Sequence, residues 1–147
     1  PLNTALRENL RTYLSQFRML TDAINIKTAY IVNFSVECDI RLSANANNQE
    51  VQLRVVNKLK ELLHVNRMQI NGPIIIPNIM AELDKISGVQ TVARFEMKNV
   101  YNTRQGYAKN IYDIEGATKG GIVYPSLDPM IFEVRYPNKD IKVRITG

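Results

Sequence analysis

Between positions 30 and 42 the sequence alternates in the two-residue rhythm of a strand. Tyr30, Val32, Phe34, Val36, Cys38, Ile40 and Leu42 share one parity, and Asn33, Ser35, Glu37, Asp39 and Arg41 share the other. Successive side chains of a strand point to opposite faces, so this segment is expected to have one buried face and one wet face. A strand this long is not stable alone. It needs strands along its edges and a second layer over its apolar face, and both must come from the rest of the chain.

Helices supply the second layer. Leu6, Leu10, Tyr13, Leu14 and Phe17 recur at three-to-four spacing over 5–20 and predict an amphipathic helix that Asn3 or Thr4 can cap. An Asn-rich loop over 43–48 ends in a cap at Asn47 or Asn48. A second helix then runs to about Leu63 with Val51, Val55, Leu59 and Leu62 inward. Asn71, Gly72 and Pro73 make a turn. Pro77 suits the first turn of a third helix, which turns Met80, Leu83 and Ile86 inward and stops at Gly88. A second alternating stretch over 89–98 sets Val89, Thr91, Ala93, Phe95 and Met97 against Val92, Arg94 and Glu96.

The order helix, strand, helix, helix, strand predicts an α+β body over 1–98, a small mixed or antiparallel sheet with helices on one face. Beyond it, 99–147 reads as a β-rich C-terminal subdomain. Residues 99–110 are polar and loosest at Gly106, and 111–129 are rich in Gly and Pro. Gly116, Gly120 and Gly121 lack a following Gly-Lys-Ser/Thr and suit a hairpin loop with positive φ rather than a phosphate cradle. Two short strands over 130–136 and 141–145 are expected to form a ribbon joined by the turn Pro137, Asn138, Lys139 and Asp140. Its apolar face is either packed on the chain's own body or covered by another subunit. Phe132, Val134, Tyr136, Ile141 and Val143 are therefore the candidate partner-interface residues.

The residues point away from catalysis. His64 is the only histidine and Cys38 the only cysteine, so a zinc site of the usual kind is not expected, and His64 suits a helix C-terminus. Cys38 reads as a small buried hydrophobe. Glu37 with Asp39, and Asp113 with Glu115, share faces but read as solvating acids with ordinary pKa values. Ser35, Ser87 and Ser126 lack a nucleophile elbow. No catalytic residue, metal ligand, cofactor or small-molecule substrate is expected, and no apolar run is long enough for a membrane span. The net charge of +5 permits an acidic partner or nucleic acid. The cations are scattered, and the aromatics Tyr30 and Phe34 lie on the face that helices should cover. A basic nucleic-acid-binding module is the alternative, less favoured reading. The sequence opens at Pro1 rather than Met and is expected to be a piece of a longer polypeptide.

The combination of LRTYLSQFRMLTD, AYIVNFSVECDI, NNQEVQLRVVNKLKELL, INGPIIIPNIMAELDKISGV and QTVARFEMKNV, in this order, resembles the baseplate J-like family of contractile-tail proteins. The remaining segment, IYDIEGATKGGIVYPSLDPMIFEVRYPNKDIKVRITG, resembles the C-terminal end of T4-type baseplate wedge proteins of the inner ring. The resemblance spans essentially the whole chain and carries no catalytic motif. It implies a virion structural protein of the bacteriophage tail baseplate, made in the host cytoplasm. Its partners would be copies of itself, as a homodimer or ring contact that joins wedges, and other baseplate wedge proteins. Its working would be mechanical, with hinge segments such as 99–110 taking up the change between two baseplate states.

Overall fold

A computed structural model describes residues 29–126 and 128–146. The helix expected over 5–20 lies outside them. The described chain runs β1 (Tyr30–Leu42), α1 (Asn48–Leu62), β2 (Ile74–Ile75), α2 (Ile76–Asp84), β3 (Val89–Asn99), α3 (Ile114–Ala117), β4 (Thr118–Lys119), β5 (Ile122–Val123), β6 (Met130–Glu133), α4 (Pro137–Asp140) and β7 (Ile141–Ile145). It is an α+β fold with a four-stranded main sheet and a three-stranded small one.

The alternating segment is the centre of the main sheet. β3 pairs antiparallel with one edge of β1 from Phe34 to Leu42. Along the other edge β6 runs parallel to Tyr30–Asn33 and β7 parallel to Val36–Ile40. The apolar parity of β1 is buried with Val51, Val55 and Leu59 of α1 and Ile79 and Leu83 of α2 in one core. α1 packs on β7 and α2 on β3. The Asn47 side chain caps α1, accepting from the Glu50 amide at 3.0 Å, and Leu63 takes the deep position expected of Leu62. Among the described residues no helix is long and apolar enough to cross a membrane.

Three expectations change. The last two strands do not form a ribbon; both pair with β1 and not with each other. A tight hairpin needs central residues at positive φ, and residues 137–140 have none. Pro137 instead opens one helical turn, in which the Lys139 and Asp140 amides donate to the Tyr136 carbonyl at 3.0 and 2.8 Å. The chain leaves the sheet and returns in the same direction. Where paired glycines do supply positive φ, at Gly120 (+59°) and Gly121 (+78°), the expected hairpin forms between β4 and β5.

Second, the face assignment of β3 slips. The register moves from Asp39 opposite Arg94 to Ile40 opposite Val92, leaving Ala93 as an extra residue. A bulge of one residue reverses the side chains beyond it, here until a second shift at Gln90 restores the facing of Val89. Val92, expected beside Arg94 on the wet face, is therefore buried at 7% exposure, while Thr91 and Ala93 are exposed. Third, 99–147 is not set apart from the sheet. β6 and β7 belong to the main sheet, and only α3 with the β4–β5 ribbon, which extends β2, stands aside from it.

These pairings bury Phe132, Val134, Ile141 and Val143 in the chain's own core, where the Phe132 ring meets Phe34 and Tyr112 edge-on. Of the five candidate interface residues, four are thus core residues and only Tyr136 reaches the surface. Phe132→Ala is expected to lower the unfolding free energy by about 3 to 5 kcal/mol in urea titrations, the usual cost of emptying a buried aromatic site. A loss below about 1 kcal/mol would place Phe132 outside the core.

Candidate functional site

Two surface features arise from this topology. The first is the face of the main sheet opposite the core. Residues paired across strands share a face, so Glu37 stands between Glu96 and Lys142, and Asp39 between Arg94 and Arg144. Asp39 Oδ2 accepts from Arg94 Nε at 3.0 Å and from Arg144 at 2.9 Å. Arg94 also bonds Glu96 and lies 3.3 Å from Glu37. Lys98 completes the lattice at 3.8 Å from Glu37 and 3.9 Å from Glu96.

Asp39 was expected to be a solvated acid, yet it is only 6% exposed. The Arg94 guanidinium, and after it that of Arg144, hold its carboxyl below the usual range. Asp39 and then Glu37 in turn push Arg94 up. A carboxylate held ionised by two guanidinium groups has the opposite tuning to a general acid, whose pKa must rise toward neutrality. The lattice binds three strands together by charge.

The second feature lies where the chain steps out between β6 and β7. Asn33, in the wet parity of β1, is 1% exposed. Its Nδ2 donates to the Glu133 carbonyl and Oε1 at 3.2 and 3.0 Å, and its Oδ1 accepts from the Ala108 amide at 2.7 Å. The Asn33 carbonyl takes bonds from Asn99 Nδ2 and the Val100 amide, each at 2.9 Å. These bonds pin the polar segment 99–110 over the sheet. Within it, a 3₁₀ turn over Thr103–Gln105 ends at Gly106, whose φ is +90°.

Gly106 brings the backbone against Tyr136; a β-carbon there would overlap the Tyr136 hydroxyl. The next residue, Tyr107, is buried, and its hydroxyl donates to Asp140 Oδ1 and Oδ2 at 2.9 and 2.7 Å. Burial, and then the bond to Asp140, push Tyr107 up to about 12. The Tyr107 and Tyr136 rings meet edge-on at 5.4 Å. Above them opens a recess of about 530 Å³ lined by Gln105, Arg135, Tyr136, Pro137, Asn138 and Lys139. Arg135 sits 5.5 Å from the centre of the Tyr136 ring and Lys139 at 5.5 Å from that of Tyr107. Lys60 of α1 donates to Asn138 Oδ1 at 2.6 Å.

No family model and no curated protein matches the chain.

The site residues divide by how visible they were. Tyr136 was named from its alternation with Phe132 and Val134, and it lines the recess. Arg135 and Tyr107 were not, and Lys139 and Asp140 entered only as turn residues, because the pattern signals apolar faces and says nothing of which polar residues a non-local fold brings together. Asn33 carried a usable signal, since an amide is unusual in a strand. Among the described residues no group of three His, Cys, Asp or Glu side chains could hold a metal. His64 follows α1, and its Nδ1 accepts from the Asn66 amide at 3.1 Å. Cys38 is buried, and burial pushes its thiol up to about 12. Asp113, read as a solvating acid, caps α3 through the Gly116 amide at 2.9 Å.

Because the folded pKa of Asp39 is depressed, its contribution to stability is complete above the unfolded value of about 3.9 and is lost as pH falls through the folded value. Asp39→Asn is expected to lower the melting temperature at pH 7 and to flatten the acid limb below about pH 4. Melting curves over that range that overlay those of the parent chain would show that the arginine clamp contributes nothing.

Proposed function

We propose that this chain is a structural subunit of a contractile-tail baseplate whose C-terminal domain makes the homotypic contacts that join wedges into a ring. The resemblance of its ordered motifs to the baseplate J-like family motivates the reading. The observation that carries the homotypic part is the outer edge of β3. Among the described residues β3 ends the sheet order and pairs on one side only, with β1. Its Ala93 bulge limits the regular stretch to 94–99, which restricts how many residues a partner strand can match.

That stretch is complementary to itself. Arg94, Glu96 and Lys98 alternate in sign on one face. Consider a second copy added antiparallel about a two-fold axis normal to the sheet. An axis at Met97 sets Glu96 opposite Lys98 twice, and one at Phe95 sets Arg94 opposite Glu96 twice. Each opposite-charge pair contributes roughly 0.2 to 1 kcal/mol, and strand addition across a two-fold supplies the backbone bonds. Nucleic acid is the weaker reading. Arg94, Lys98 and Arg144 on the sheet face are already paired with Glu37, Asp39 and Glu96, and a polyanion would meet those carboxylates.

Sedimentation of the chain over a concentration series at moderate salt is expected to show a dimer persisting into the low micromolar range. Glu96→Lys, which sets like charges opposite one another, should weaken it at least ten-fold. Filter-binding titrations with short DNA should show no salt-dependent retention. A strict monomer, or retention lost steeply with salt, would overturn the reading.

A further inference from the structure

We infer that the recess between β6 and β7 is a docking site for an acidic peptide segment of another protein, with Arg135 and Lys139 receiving a carboxylate side chain. The walls are fixed before any ligand arrives. The backbone at Gly106 packs close against the Tyr136 hydroxyl, the Tyr107 hydroxyl is tied to Asp140, and Pro137 sets the helical turn. A preformed pocket spares the ordering cost that weakens binding to mobile loops. Its volume of about 530 Å³ suits one or two side chains.

The charge of the recess selects the ligand. Arg135 and Lys139 are exposed and lie against aromatic rings. Among the described residues neither forms an ion pair, nor does Lys60, which Asn138 draws toward the rim. The nearby carboxylates are Asp140, buried beneath Tyr107, and Glu133, bonded to Asn33. Arg135 and Lys139 therefore face solvent in one concavity, with half-buried Lys60 bonded to Asn138 at its edge. A guanidinium presents a planar fork that matches a carboxylate, and the ring of Tyr136 with Pro137 offers an apolar wall to the neighbouring residue of a peptide. A nucleic-acid backbone fits less well. The cations converge on a single pocket instead of tracking a line of phosphates, and Glu37 and Glu96 lie on the adjoining sheet face.

This inference rests on the assembly reading only for the source of the segment. The test is an NMR titration of the ¹⁵N-labelled 147-residue chain with capped hexaglutamate. Expected are saturable shifts centred on Gln105, Tyr136, Asn138 and Lys139, and an affinity reduced at least ten-fold in R135E/K139E. R135Q/K139Q, with a milder charge change, should show a smaller loss. K85E/K119E, with the same net-charge change as R135E/K139E, should bind within two-fold of the parent chain. Equal losses in the two charge-reversed variants, shifts centred elsewhere, or tighter binding of a short oligothymidylate in the recess would overturn the proposal. A dimer that ignores hexaglutamate would sink the recess and leave the assembly reading standing. A strict monomer that binds it would do the reverse.

Discussion

Pairing along both edges of β1 is the constraint on which the rest of the structure depends. β3 holds one edge from Phe34 to Leu42. Ahead of that point, where β3 has ended, Asn110 Nδ2 donates to the Ile31 carbonyl and the Val100 amide to that of Asn33. The opposite edge is filled by β6 and then β7, and the Thr146 amide closes it on the Ile40 carbonyl at 2.9 Å. A backbone group left unpaired in this central strand would cost about as much as a lost hydrogen bond, so the partners are obligatory. Those on the second edge, β6 and β7, come from about a hundred residues downstream, and the fold closes only when these C-terminal strands arrive. Such non-local parallel pairing is slow to form.

The same constraint creates the surface features. β6 and β7 share one edge but do not join, and the segment between them must leave the sheet. Its exit produces the helical turn of α4, which carries Pro137, Lys139 and Asp140. Asp140, brought inward, needs a donor; Tyr107 supplies it. The segment 99–110, proposed as a hinge, is tied at Asn33, Asp140 and Tyr136 in this state of the protein. Any movement there must break a defined set of bonds. On the sheet face, Asp39 lies in the central strand and collects one arginine from each neighbour, so the clamp can form only once β3 and β7 are both in place.

The local features were legible because their signals are local. Alternation located β1, three-to-four spacing with an asparagine cap located α1, and Gly120 with Gly121 located the hairpin of the small sheet. What the pattern could not reveal was which strands pair. The parity of Phe132, Val134, Ile141 and Val143 correctly marked an apolar face that had to be covered, but parity is indifferent to which strand, the hairpin partner or β1, takes their edges. The Ala93 bulge has no compositional mark, and it inverted the reading of Val92. The recess was visible only through Tyr136, because its cations and Tyr107 come from segments joined by the fold rather than by spacing.

The most direct test of the homotypic edge is amide hydrogen exchange of the whole chain at two protein concentrations, one well below and one well above the micromolar range. The account predicts that concentrating the protein slows exchange within 94–99 of β3 and leaves β1, β6 and β7, already paired inside one chain, unchanged. Identical exchange along β3 at both concentrations, or added protection confined to other segments, would contradict it.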